Sequence, residues 1–266
     1  MDNKGGAADS LRKHLTAAGI EKWKDFSRES LYELTDHLKE SVSPGTGKTV
    51  CARLKALLHR YADCVKLPDG WEKIVSVRDH KPVKTYLNAD ELKRLEGVQG
   101  KTEKQQYVLN TFLICAYTGL RVSDALSLNL GNIMGGNLHY VAKKTRKEGV
   151  VPLKPGVAER IAWLSEHRDI SVTMVTYNTV IHELCREAGI DTEVVIIKGG
   201  KEVKGPKWQF ISSHSARISL GTCLFRSSGN LGDVMRVLQH SNPQTTLRYI
   251  VNEGAELSDK AMDFFK

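Results

Sequence analysis

The chain has 266 residues, 41% of them hydrophobic and 26% charged, which is ordinary for a folded protein and enough for a catalytic-sized domain with a smaller companion. Its five cysteines are odd in number and widely spaced, which argues against a disulfide scaffold or a zinc knuckle, and its longest apolar run falls far short of the ~20 residues that cross a bilayer. A formal net charge of +8, spread along the chain instead of gathered in one tail, favours a polyanionic partner, because phosphates neutralised by protein cations release their counterions.

The opening residues MDNKGGAADS contain no apolar signal core, so the chain is expected to stay in the cytoplasm where it is made. Three helical patterns follow: Leu11, Leu15 and Ala18; Leu31, Leu34 and Leu38; then Leu54, Leu57, Leu58 and Tyr61. They predict a small helical domain over residues 1–66. The third pattern also carries Lys48, Arg53, Lys55 and Arg60, a basic face able to follow a DNA backbone; a simple solvated face fits the same residues. Within it SPGTGKT, Ser43 to Thr49, looks like the end of a nucleotide-binding loop, but Val42 stands where that motif needs glycine and no buried strand precedes it. It is expected to be a turn between helices, with Lys48 available to a DNA phosphate.

Residues 67–86 contain Pro68, Gly70 and Pro82 and lose helical periodicity, predicting a linker. A second domain is expected over 87–266. Asn88 with Glu91 reads as a capping-box helix start, and Leu109, Phe112, Leu113 and Ala116 form a stripe that ends at Gly119. NLHYVA and GVVPL flank the polar turn KKTRKE as a hairpin, and a helix opens at Pro155. Further helices are predicted over 177–188, 215–227, 231–239 and 244–250, with a second extended pair, VVIIKGG and VKGPKWQFI, before His214. The fold class is mostly α with small β-hairpins (α+β).

Five side chains in this second domain suggest one chemistry. Breaking a phosphodiester without a metal requires neutralised equatorial oxygens, an in-line nucleophile and a proton for the departing oxygen. Tyr249 is the candidate nucleophile, and Arg121 and Arg217 can hold the phosphate oxygens through forked hydrogen bonds. His214 can take the tyrosyl proton or donate to a phosphate oxygen, and His240, nine residues before Tyr249, can donate to the phosphate. A sixth, Lys144 in the hairpin turn, can protonate the leaving 5′ oxygen, with Lys143 and Lys147 as close competitors. Taken singly each has a plainer role: Tyr249 as a core residue, His214 as a cap, Arg121 as the ion-pair partner of Asp124, and KKTRKE as a solvated tip. Their joint occurrence in this order favours the chemical reading.

These motifs resemble the tyrosine recombinase (phage integrase) family. TGLRVSDALSL resembles its first box, with Arg121 followed by Asp124 as structural support. Counting back from Pro152 in KKTRKEGVVPL places the family's lysine at Lys144. His214 to Arg217 matches its H-x-x-R box, and His240 with Tyr249 matches its final histidine and nucleophile. The resemblance runs from about Lys81 to the C-terminus. YNTVIHELCREAGID and the extended pair before His214 resemble integrases of mobile elements from the Bacteroides group. Gln239 departs from the family, which has glycine there, and the resemblance leads to the expectation of an N-terminal domain shorter than the usual core-binding domain, with no arm-binding domain before it.

The resemblance implies a two-domain, C-shaped clamp on double-stranded DNA that is monomeric when free and forms a homo-tetramer on two synapsed sites. Strand exchange would pass through 3′-phosphotyrosyl and Holliday-junction intermediates, with no metal or nucleotide cofactor and with possible accessory DNA-bending proteins. A tail helix bearing Leu257, Ala261, Phe264 and Phe265 would pack on a neighbouring protomer or in cis. Two other functions share these residues: a catalytically silent DNA-binding accessory protein, and a type IB topoisomerase-like relaxase.

Overall fold

The computed structural model describes residues 4–78, 84–198 and 201–251. The chain divides into two compact units, Met1–Val83 with Ile196–Val203, and Lys84–Val195 with Lys204–Lys266.

The N-terminal part of the first unit is helical: α1 (Lys4–Ala17), α2 (Arg28–Ser41), α3 (Pro44–Arg60) and the short α4 (Trp71–Ile74). Leu31, Leu34 and Leu38 of α2 and Leu54 and Leu58 of α3 are fully buried, each contributing about 1.5–3 kcal/mol of hydrophobic stabilisation. SPGTGKT is not a turn. Ser43 caps α3 by accepting the Thr46 N–H, and Pro44 occupies the first helical position, where its missing N–H costs nothing. Gly47 is explained by packing: a Cβ there would lie 3.3 Å from Val77 Cγ1. The first half of the expected linker belongs to this core, because Ile74, Val75 and Val77 are buried in it and the Thr35 hydroxyl donates to the Ile74 carbonyl at 3.0 Å.

The second unit opens with α5 (Ala89–Glu96), whose capping box joins Asn88 and Glu91 as expected. At its centre runs α6 (Glu103–Thr118), buried on almost every side from Tyr107 to Ala116 and packed against four later helices. It stops at Gly119, where φ is +73°. A Cβ there would also lie 2.8 Å from Leu220 Cδ2 and 2.9 Å from Leu238 Cδ2, so glycine serves both the turn and a close approach. After α7 (Val122–Ala125) comes a three-stranded antiparallel sheet of β1 (Ile133–Met134), β2 (Asn137–Val141) and β3 (Glu148–Pro152), in that spatial order. β2 and β3 form the expected hairpin, with Leu138 opposite Val151 and Tyr140 opposite Gly149; β1 was not foreseen.

Along the chain then follow α8 (Val157–Glu166), α9 (Met174–Glu187), the paired β4 (Glu193–Lys198) and β5 (Lys201–Pro206), of which Ile196–Val203 is grouped with the first unit, and α10 (Ser215–Ser228), α11 (Leu231–Val237) and α12 (Pro243–Leu247). α6 packs against α8, α9 and α10. Two expected helices are shorter than read. α11 ends at Val237 instead of 239, and α12 ends at Leu247 instead of 250, leaving Tyr249 beyond the helix. The tail positions Leu257, Ala261, Phe264 and Phe265, and Lys81 in the linker, lie outside the described residues.

Candidate active site

The site is built where the start of α10 meets the ends of α6 and α11. Arg217, in the first turn of α10, is 3% exposed. Its guanidinium donates to the carbonyls of Gly119, just past α6, and of Leu238, just past α11. Both carbonyls are groups that a helix end leaves without an intrahelical donor, so one side chain caps two helices. The same Arg217 Nη2 lies 3.2 Å from His240 Nε2. A guanidinium only donates, so Nε2 is the acceptor and the imidazole proton sits on Nδ1, which faces Thr246 Oγ1 of α12 at 3.1 Å. Both nitrogens of His240, expected to serve a phosphate, are therefore engaged within the protein in this state.

Tyr249 is half-buried, with its ring among cations and imidazoles. The ring centroid is 5.1 Å from that of His214 and 4.8 Å from that of His240. Arg217 Cζ lies 5.4 Å and Lys84 Nζ 5.0 Å from it, within the range of cation–π attraction. The backbone of Tyr249 is held independently. Its N–H donates to the Thr246 carbonyl at 2.7 Å, and its carbonyl accepts from the Thr222 hydroxyl at 3.2 Å. The Val251 N–H donates back to that hydroxyl at 3.1 Å. Gly221 makes room for this segment, since a Cβ there would lie 2.8 Å from the Tyr249 carbonyl oxygen. Lys84 adds a further tie by donating to the Arg248 carbonyl.

The electrostatics are one-sided. Among the described residues neither Arg121 nor Arg217 forms an ion pair with a carboxylate. Burial, reinforced by Lys84, Arg217 and Arg121, pushes the His214 pKa down to about 4. Burial, then Arg217, Arg121 and His214, pushes His240 down to about 4 as well. Both imidazoles are thus neutral near pH 7. The Arg217 pKa is lowered by burial and by Arg121, and raised by Tyr249 and Tyr140. The result is a pocket with excess positive charge, neutral bases and a phenol beside them.

Asp124 does not pair with Arg121. It is buried, and its Oδ1 accepts the Lys143 N–H at 3.1 Å, tying the first box to the hairpin turn. Lys143, Lys144 and Lys147 are all exposed in that turn, which is tightened by the Ala142 N–H donating to the Lys147 carbonyl and by Arg146 at φ +56°. The structure thus gathers His214, Arg217, His240 and Tyr249, with Arg121 near enough to act on both histidines, and leaves Lys144 in solvent. On α3, Lys48, Arg53 and Arg60 are exposed and Lys55 is half-buried. Helical spacing sets Lys48 with Lys55 and Arg53 with Arg60 on two separate stripes, not on one face. Sequence reasoning missed Lys84, Gly221, Thr222 and Thr246, which carry no local signature and act through contacts with distant segments.

The sequence model of the phage integrase family matches residues 85–255. The chain belongs to that family. It is 25% identical over 250 residues to the TnP I resolvase of Bacillus thuringiensis, covering 88% of this chain and 82% of that protein. Among solved structures it is similar to the Tn1549 transposon integrase in complex with transposon right end DNA, with a TM-score of 0.71 at 16% identity over 100% of this chain and 93% of that one. It is also similar to a lambda integrase tetramer bound to a Holliday junction, with a TM-score of 0.64 at 14% identity, covering 97% and 75% of the two chains. The mostly helical fold with small antiparallel sheets is that of the tyrosine recombinases.

Proposed function

We propose that this phage integrase family member is a site-specific DNA recombinase that cleaves and rejoins double-stranded DNA through Tyr249. The observation that carries the reading is the Tyr249 ring set among Arg217 and two neutral histidines, in a pocket whose arginines have no carboxylate partner among the described residues. An anion is the missing counter-charge, and a backbone phosphate supplies it.

In this reading Arg121 and Arg217 hold the non-bridging oxygens of the scissile phosphate. The Tyr249 oxygen attacks phosphorus, its proton passes to His214, and the bond to the 5′ oxygen breaks as Lys144 protonates that oxygen. His240 orients Arg217 and, once a phosphate arrives, can turn its donor to it. The 3′-phosphotyrosyl bond keeps the energy of the broken linkage, so a 5′-hydroxyl from a second strand reverses the step without ATP. The N-terminal helices, 1–66, act as a core-binding domain using Lys48, Arg53, Lys55 and Arg60, and 87–266 form the catalytic domain, with the boundary inside 67–86. The DNA-bound assembly of the similar lambda integrase supports a tetramer on paired sites with a Holliday-junction intermediate.

The test is a two-site plasmid assay with purified protein in chelator and without nucleotide. Recombinant products support the reading. Relaxation without recombinants indicates the topoisomerase-like function, and binding with neither indicates the silent accessory protein.

A further inference from the structure

Gln239 immediately precedes His240, at a backbone φ of +52°, in the left-handed region where glycine is usual. The turn is closed by the Gln239 N–H to the Arg236 carbonyl at 3.1 Å and the His240 N–H to the Met235 carbonyl at 2.9 Å. A helix end of this kind asks only for a residue without a Cβ, so a long side chain here is unfavourable for the turn itself. Its destination is β3. Gly149 sits directly opposite Tyr140 in the hairpin register. A Cβ built on Gly149 would overlap Gln239 Nε2 and lie 2.7 Å from Tyr140 Cζ. The two positions are complementary: a side chain where the backbone favours none, and bare backbone in a strand where a side chain would ordinarily pack. The amide nitrogen is buried without a hydrogen-bond partner among the described residues, a second cost with no return for the turn.

What the contact joins is specific. Gly149 lies five residues beyond Lys144, on the strand that leaves the lysine turn, whereas Gln239 is bonded to His240, which holds Arg217. A cavity of about 260 Å³ opens beside the contact, lined by Lys147, Glu148, Met235, Arg236, Gln239 and His240 among others. Without the glutamine side chain the hairpin has empty space to shift into.

We propose that Gln239 is a positioning residue that fixes the lysine hairpin relative to the His240–Arg217 pair, so that Lys144 reaches the leaving oxygen. The inference rests on the role given to Lys144 above. Gln239→Gly relaxes the backbone while removing the wedge. Its rate of covalent adduct formation on a nicked duplex should fall by about tenfold or more, since misplacing a proton donor by ~1 Å is that costly, with DNA affinity unchanged. On the same duplex with a 5′-bridging phosphorothiolate, whose sulfur leaves without a proton, the deficit should largely vanish, as it should for Lys144→Ala. Gln239→Asn, with one methylene fewer, should fall between. Wild-type rates for Gln239→Gly on the oxygen substrate, or equal losses on both substrates, overturn the inference. If Lys144→Ala is rescued by sulfur and Gln239→Gly is not, only the inference about Gln239 fails. If Lys144→Ala is not rescued, the acid assignment fails and the inference falls with it. Should Gln239→Gly not fold, the oxygen-to-sulfur comparison for Gln239→Asn decides by the same criteria.

Discussion

Arg217 Nη2 stands 3.2 Å from His240 Nε2, and the same guanidinium donates to the carbonyls of Gly119 and Leu238. The cation is therefore locked in place by three partners before any DNA arrives. Charge fixed in this way needs no reorganisation as negative charge develops on a phosphate, which is where electrostatic catalysis gains most. Burial, together with this fixed positive charge, leaves His214 and His240 unable to hold a proton near neutral pH.

Arg217→Ala should remove both the pocket charge and the cap on two helix ends. Each of the two stranded carbonyls costs about 1–3 kcal/mol, so urea unfolding should show a loss of roughly 2–6 kcal/mol. Covalent adduct formation should be abolished. DNA affinity should change little, because one contact is a small part of a footprint over many phosphates. Wild-type adduct formation by this variant would mean that the phosphate is held elsewhere.

Gly221→Ala separates stability from chemistry. Alanine in a helix interior is favoured over glycine by about 1 kcal/mol, yet a Cβ at 221 would press on the Tyr249 carbonyl oxygen at 2.8 Å and on Tyr249 Cβ at 3.2 Å. The variant should keep its fold by circular dichroism and its DNA binding, and lose cleavage by about tenfold or more as the tyrosine segment is displaced. Unchanged cleavage would show that the tyrosine segment does not depend on this contact.

The histidines set an acid limit on stability. His214 and His240 fall from an ordinary 6.5 to about 4 in the folded chain, so the unfolded chain binds protons first as pH drops. Folded stability should therefore decline between about pH 6.5 and 4, while neither group contributes a slope above that window. Melting temperature followed across this range should fall less steeply in a His214→Gln/His240→Gln variant than in the wild type; equal slopes would contradict the neutral assignment. Because Lys84 helps to depress His214, Lys84→Met should move the His214 titration, followed by NMR, toward 6.5.

Much of the candidate site was legible in the sequence because the chemistry proposed for it needs fixed residue types at fixed spacing: His214, Arg217 and His240 are recognisable before any fold is known and stand round the Tyr249 ring, with Arg121 near enough to act on both histidines. What escaped notice depends on contacts between distant segments. The helix before Tyr249 reads as continuing to Ile250, but the Thr222 hydroxyl accepts the Val251 N–H and donates to the Tyr249 carbonyl, an arrangement that no local propensity encodes. SPGTGKT reads as a turn between helices once the nucleotide-loop motif is set aside, yet Ser43 and Pro44 are a helix start and Gly47 answers to Val77, thirty residues on. The segment read as linker buries Ile74, Val75 and Val77, whose apolar pattern is too short and too interrupted by glycine and proline to register as core. Gln239 was visible only as a departure from the family; its partner Gly149 became apparent from the fold.

The most direct measurement is to trap the protein on a nicked suicide DNA substrate, digest the product and locate the nucleotide-modified peptide by mass spectrometry. The expected result is a covalent 3′-phosphate on Tyr249, with Tyr249→Phe binding the same DNA and forming no adduct. An adduct on another residue, or one that persists in Tyr249→Phe, would contradict the assignment of the nucleophile.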